Sequence, residues 1–195
     1  MIHYSWRMIL RGDTDRAKRS VQEYTDRYGW DGTTIPEDPA SGTIEESIWQ
    51  VSEDVAVHFM SDDFTQRPYV FAAADSINSC HAMQAHLQNH LNPVPQSELL
   101  ADLENSTTPD ERRRAILSVA LGGPNQDNEI VISSIDQSLR DESAEVRKAA
   151  VFATTYSPSS RYIPMLTEAL RNDASVEVRE EARTILDVYE QLDIQ

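Results

Sequence analysis

The sequence predicts an α+β domain followed by an all-α domain of repeated helical hairpins. Three observations lead there. Apolar residues alternate with period two only in the first half of the chain, beginning with Ile2, Tyr4, Trp6 and Met8. The stretch from Asp141 to Ala150 returns as Asn172 to Ala182, which puts Arg147 and Arg179 32 residues apart (147 to 179) and a leucine before each copy, Leu139 and Leu170. A weaker upstream copy carries Leu103 and Arg113. Periods of this size belong to stacked helical pairs, in which no single unit buries its apolar face alone. Between the halves, Asn92-Pro93-Val94-Pro95-Gln96-Ser97 forms a stretch stiffened by two prolines. The expected division is therefore residues 1–92 as the α+β domain, 93–97 as a proline-containing linker, and 98–195 as three helical hairpins.

Taken in order, Ile2 to Met8 predicts a strand with one buried face. Asp13 and Thr14 offer a helix cap, and Ala17, Val21, Tyr24 and Tyr28 recur at helical spacing until Gly29. From Gly29 to Gly42 the chain is rich in turn formers and lacks an apolar period, so a loop is expected that is either mobile or ordered by binding. Ile48 to Val51, Val55 to Met60 and Pro68 to Ala73 are strands by composition. Ile77, Cys80, Met83, Leu87 and Leu91 then fall within about 120° of one another, one apolar stripe of a helix. The order suggests a small antiparallel or mixed sheet with two helices on one face, a variant of the ferredoxin-like arrangement.

After the prolines the strand signal disappears. Ser97 is placed to cap a helix carrying Leu99, Leu100 and Leu103. Thr108-Pro109-Asp110-Glu111 supplies a capping box for the next, which should stop at Gly122-Gly123-Pro124. The second pair uses Ile130, Ile132, Ile135 and Leu139, then Val146, Ala149, Ala150 and Ala153. The third uses Ile163, Leu166 and Leu170, then Val178, Ala182, Ile185, Leu186, Tyr189 and Leu192. Arg179, Arg183, Asp187, Glu190 and Gln191 lie off that last stripe, as a terminal unit facing water requires.

The formal net charge is −16, with acid in excess in both halves. Nucleic-acid binding needs clustered lysine and arginine against phosphate, so DNA and RNA are excluded as expected partners. A protein with a basic surface fits the charge better. Cys80 is the single cysteine, and neither a long apolar segment nor an export signal is visible, which makes the cytoplasm the expected compartment.

Leu139-Arg140-Asp141 with Glu145 to Ala150, and Leu170 to Asp173 with Glu177 to Ala182, resemble HEAT repeats, in particular the short form found in phycobilisome lyases. The resemblance covers residues 97 to 192. It implies a repeat-stacking ladder in which the turn aspartates Asp141 and Asp173 meet the second-helix arginines Arg147 and Arg179. In the first copy, Asn105-Ser106 stands where the turn aspartate belongs and Arg112 where the valine belongs. The N-terminal half resembles no family.

Candidate chemistry is sparse. His86 and His90, four residues apart on one helix, are the spacing with which two imidazoles reach one metal, whereas His81 points about 140° away and Cys80 lies on the apolar stripe. The expectation is an exposed histidine pair beside a structural thiol, with no metal and no cofactor. Nucleotide-binding glycine motifs, H-E-x-x-H and G-x-S-x-G are absent, and no catalytic residue is expected. Lys148, Val151 and Phe152 lie off the main stripe of the middle hairpin, and an aromatic beside a charge is a usual contact anchor, so these three are the expected partner-binding residues. The expected function is a protein–protein interaction adaptor or assembly chaperone. The resemblance implies a rival, a bilin lyase-like or phycobiliprotein-associated factor, and the acidity a second one, an inhibitor or immunity protein.

Overall fold

The computed structural model describes residues 1–37, 44–123 and 128–194. The chain divides into two compact units, Met1–Val94 and Pro95–Gln195.

The first unit runs β1 (His3–Tyr4), β2 (Met8–Ile9), α1 (Thr14–Tyr28), β3 (Asp31–Ile35), β4 (Glu46–Ser52), β5 (Val55–Asp62), β6 (Arg67–Ala74) and α2 (Ile77–Leu91). One sheet contains all of these strands, in the order β1-β6-β5-β4-β3, with β2 also against β6 and every pairing antiparallel. The helices cover one face. Val21 and Tyr24 of α1 and Leu87 of α2 meet Trp49, Val57, Phe59, Val70 and Ala72 in one buried cluster. Asp13 caps α1 by accepting the Arg16 N–H at 2.8 Å, and Gly29 ends it at φ 66°, in the left-handed region open to glycine.

Three expectations fail in this unit. The two helices stand where they are expected, after β2 and after β6, but the ferredoxin-like strand order is replaced by a meander, β3 to β6, with β1 and β2 beside β6. The single strand expected from Ile2 to Met8 is two short ones, out of register by one residue: His3 and Tyr4 pair with Ala74 and Ala73, but Met8 and Ile9 with Val70 and Tyr69. The extra residue reverses the side-chain alternation. Ile2 and Tyr4 are consequently exposed while Met8 is buried, and the buried Ser5 fills the irregularity, its Oγ accepting the Ala72 N–H at 2.9 Å and donating to the Trp6 carbonyl at 3.0 Å.

The third failure is the loop from Gly29 to Gly42, of which residues 31–35 are β3; the remainder from 38 to 43 lies outside the described residues. Every residue of β3 is exposed, so no apolar alternation announces the strand. What places it is Trp49. The indole, 1% exposed, lies over Gly32, and a Cβ built there would stand 2.6 Å from Nε1. Gly32→Val should therefore displace a packed ring and cost about 1–3 kcal/mol, read as a lower urea midpoint; an unchanged midpoint would show that β3 yields instead.

The second unit is helical: α3 (Gln96–Asn105), α4 (Pro109–Leu121), α5 (Glu129–Ser138), α6 (Ala144–Ala153), a short turn of 3-10 helix (Ser160–Tyr162), α7 (Ile163–Asn172) and α8 (Val176–Gln191). Helix α3 begins at Gln96 behind Pro95, so Gln96 and Ser97 belong to the helix and not to a linker, and Ser97 is not its cap. The capping box at Thr108 and Glu111 is present, and the backbone N–H groups of Thr108 and Thr107 pull the Glu111 carboxyl down to about 2. The expected stop at Pro124 lies outside the described residues. Each first helix packs on its own second helix, and α4, α6 and α8 pack in series. In α5 the core residue is Val131 where Ile130 was expected, since Ile130 is half exposed; Leu192 at the end of α8 is exposed as well. Among the described residues, no helix is long and apolar enough to cross a membrane.

Candidate functional site

The helical pairs are joined by one repeated device. Counting from the N-cap, Thr108, Ser143 and Ser175, the fourth residue of each second helix is an arginine: Arg112, Arg147 and Arg179. Two residues before the second and third caps stand Asp141 and Asp173. Arg112 donates from Nε and Nη2 to Asp141 at 2.7 and 3.1 Å, and Arg147 does the same to Asp173 at 2.8 and 2.9 Å. Each aspartate also accepts its cap serine's N–H at 2.8 Å. The third nitrogen, Nη1, turns back to the arginine's own turn, where Arg147 reaches the Asp141 and Glu142 carbonyls and Arg179 the Asp173 carbonyl. One guanidinium thus fastens its own turn and the next pair's turn, with bidentate geometry.

The pairing is largely shielded, at 15% side-chain exposure for Arg147 and 8% for Asp173. Hydrogen bonds from Arg147 hold Asp173 below the usual carboxylate range against the upward push of burial. At Asp141 burial pushes upward most strongly, but Arg112 and the Ser143 N–H together outweigh it. Arg112 is the rung that sequence alignment on Arg113 missed by one position. Counting from the Thr108 capping box would have found it. Ser106 stands at the first pair, which has no earlier pair in the helical unit to supply an arginine, and its Oγ donates to the Asp102 carbonyl instead. At the other end, the Nε and Nη2 of Arg179 have no acceptor among the described residues.

Beside this ladder, α5 and α7 stand apart. A groove of about 670 Å³ lies between them, lined by half-buried Leu139, Met165 and Ala169 and also by Arg147. Four carboxylates line it, Asp136, Asp141, Glu168 and Asp173, against two guanidiniums, Arg140 and Arg147. Asp141 and Asp173 are engaged by the ladder, and Arg140 donates to Asp136 across one turn. Among the described residues, Glu168 is left as an exposed carboxylate held only by the Asn172 amide, 2.9 Å away. Nothing in the period of the sequence marks Met165 or Glu168, because both sit on the side of α7 away from its core contact at Leu166.

The expected contact residues are dispersed. Val151 is a correction: it is 0% exposed, a core residue of α6. Helix α6 is covered by both α4 and α8, so the arc it buries is wider than the stripe seen in the sequence. Lys148 is exposed and stands 3.6 Å from Glu181 of α8. Phe152 is half-buried with its ring edge-on to Tyr156, centroids 5.8 Å apart.

His86 and His90 belong to an aromatic cluster in the first unit with Tyr24, Tyr28 and Trp30. His90 already turns Nδ1 to the His86 carbonyl at 2.8 Å and Nε2 toward the Tyr28 hydroxyl at 3.4 Å. His86 is half-buried, and burial followed by the neighbouring His90 lowers its affinity for a proton. Among the described residues, no three histidine, cysteine, aspartate or glutamate side chains are grouped to hold a metal. Cys80 is buried, and burial raises the pKa of its thiol, which disfavours the reactive thiolate. No family model, curated protein or solved structure matches the chain.

Proposed function

We propose that the helical unit is a three-pair HEAT-like array serving a protein-binding adaptor or assembly chaperone, and that its partner enters the groove between α5 and α7. The observation that carries this reading is the groove itself: apolar Leu139, Met165 and Ala169 in one lining with more carboxylates than guanidiniums. Such a groove suits an extended or helical segment that presents an apolar side chain next to a lysine or arginine. The ladder supports the reading too. It clamps the turns preceding α6 and α8 and so holds the groove-lining Asp141, Arg147 and Asp173 in one geometry before binding, which reduces the ordering that binding must oppose.

The test is the affinity of the intact chain for a dye-labelled peptide in which leucine alternates with lysine and arginine. Binding should appear at low salt and weaken as salt rises, because the contacts are partly between opposite charges. Glu168→Lys should lower affinity by about tenfold or more, the loss of one charge-assisted contact. Glu53→Lys, a charge reversal at another exposed position, in the first unit, should leave it unchanged. Equal losses from the two reversals would reduce the binding to non-specific attraction by an acidic protein and remove the groove from the reading.

A further inference from the structure

The two edges of the sheet are treated differently. At one edge, β1 and β2 are two residues each and separated by a one-residue register shift, which leaves little continuous backbone to pair with. The other edge is β3. It pairs with β4 through five consecutive residues without a shift, from Asp31 opposite Gln50 to Ile35 opposite Glu46, and among the described residues its far side has no neighbour in the strand order. All five residues are exposed, and the strand contains neither lysine nor proline. Proteins usually block such an edge with charge, proline or a bulge, because its free N–H and carbonyl groups are a template for another strand.

We propose that β3 is a self-association edge, at which two copies of this chain pair antiparallel about Thr33 and join their sheets into one. The strand is self-complementary in that register. Thr33 meets Thr33 of the second copy, Gly32 meets Thr34, and Asp31 meets Ile35, so its single charge never faces its own kind. Thr34 enters the pairing already ordered, its hydroxyl 3.2 Å from that of Ser47 on the neighbouring strand. Since both copies carry −16, their mutual repulsion is screened by salt, and pairing strengthens as salt rises. That is opposite in sign to the behaviour expected of the groove.

Sedimentation equilibrium on the full chain tests this. In moderate salt the mean mass should climb from 22.0 kDa toward twice that value as concentration is raised. Thr33→Lys and Thr33→Glu are substitutions at an exposed site, and each alone should remain monomeric at every concentration, with a circular dichroism spectrum like the parent's. Mixed in equal amounts in the same moderate salt, the two should form a dimer, because the register sets the introduced lysine of one variant directly opposite the introduced glutamate of the other. A parent chain that stays monomeric overturns the proposal, as does an equal mixture that does. Variants that dimerise singly as the parent does place the contact elsewhere and overturn it too.

Discussion

Arg147→Ala lowers the stability of the helical unit by about 3 kcal/mol, the size expected when one member of a shielded, bidentate ion pair is removed. The loss has identifiable parts. Asp173, at 8% side-chain exposure, keeps only the Ser175 N–H as a partner, and the Asp141 and Glu142 carbonyls lose the donor that closed their turn. Arg179→Ala is the internal control. It occupies the same fourth position of its helix, but only its Nη1 is engaged, at the Asp173 carbonyl. Its effect should be a small fraction of the Arg147 loss. Urea titration followed by far-ultraviolet circular dichroism reads both, and equal losses would mean that the carbonyl clamp alone, and not the bond between pairs, carries the stability.

The same pair sets an acid limit. Asp141 and Asp173 have pKa values below those of the unfolded chain, so each contributes stability that is fully present above the ordinary aspartate value of about 3.9 and is lost as pH falls through the folded value. The helical unit should therefore lose urea resistance below about pH 4. In Arg147→Ala the Asp173 share of that dependence shrinks, because its largest cause is removed while the Ser175 N–H and Arg179 remain, and the stability-versus-pH curve flattens in this range.

How much of this could be seen in the chain depends on what each feature buries. The capping box at Thr108, the glycine end of α1 and the strand-forming composition of β4 to β6 are local patterns whose residues carry the structural reason themselves. Asp141, Arg147 and Asp173 were legible because the same side chains return at a fixed interval. Arg112 was off by one, since its unit lacks the turn aspartate that would have fixed the alignment. Strand β3 was invisible because it is exposed on both sides and is placed by Trp49 of the neighbouring strand. The groove was invisible for a related reason. It is lined by residues of both α5 and α7, and a space between two helices is a property that neither one's periodicity records.

Val151 separates these two kinds of inference by experiment. As a residue beside Phe152 and off the main stripe it was expected to meet a partner, and a substitution there would then change binding while leaving stability alone. In the structure it is 0% exposed in a helix packed by α4 on one side and α8 on the other. Val151→Ala should cost about 2 kcal/mol, the lost transfer energy of two methyl groups plus the cavity they leave. Val151→Asp should cost at least ~4 kcal/mol, because a carboxylate would enter a packed apolar site with no donor placed to receive it. Phe152→Ala, half-buried against Tyr156, should cost less than Val151→Asp. Urea midpoints for the three variants decide the matter. A Val151→Asp chain as stable as the parent would return that residue to the surface, and would require a different packing of α6 between its neighbours.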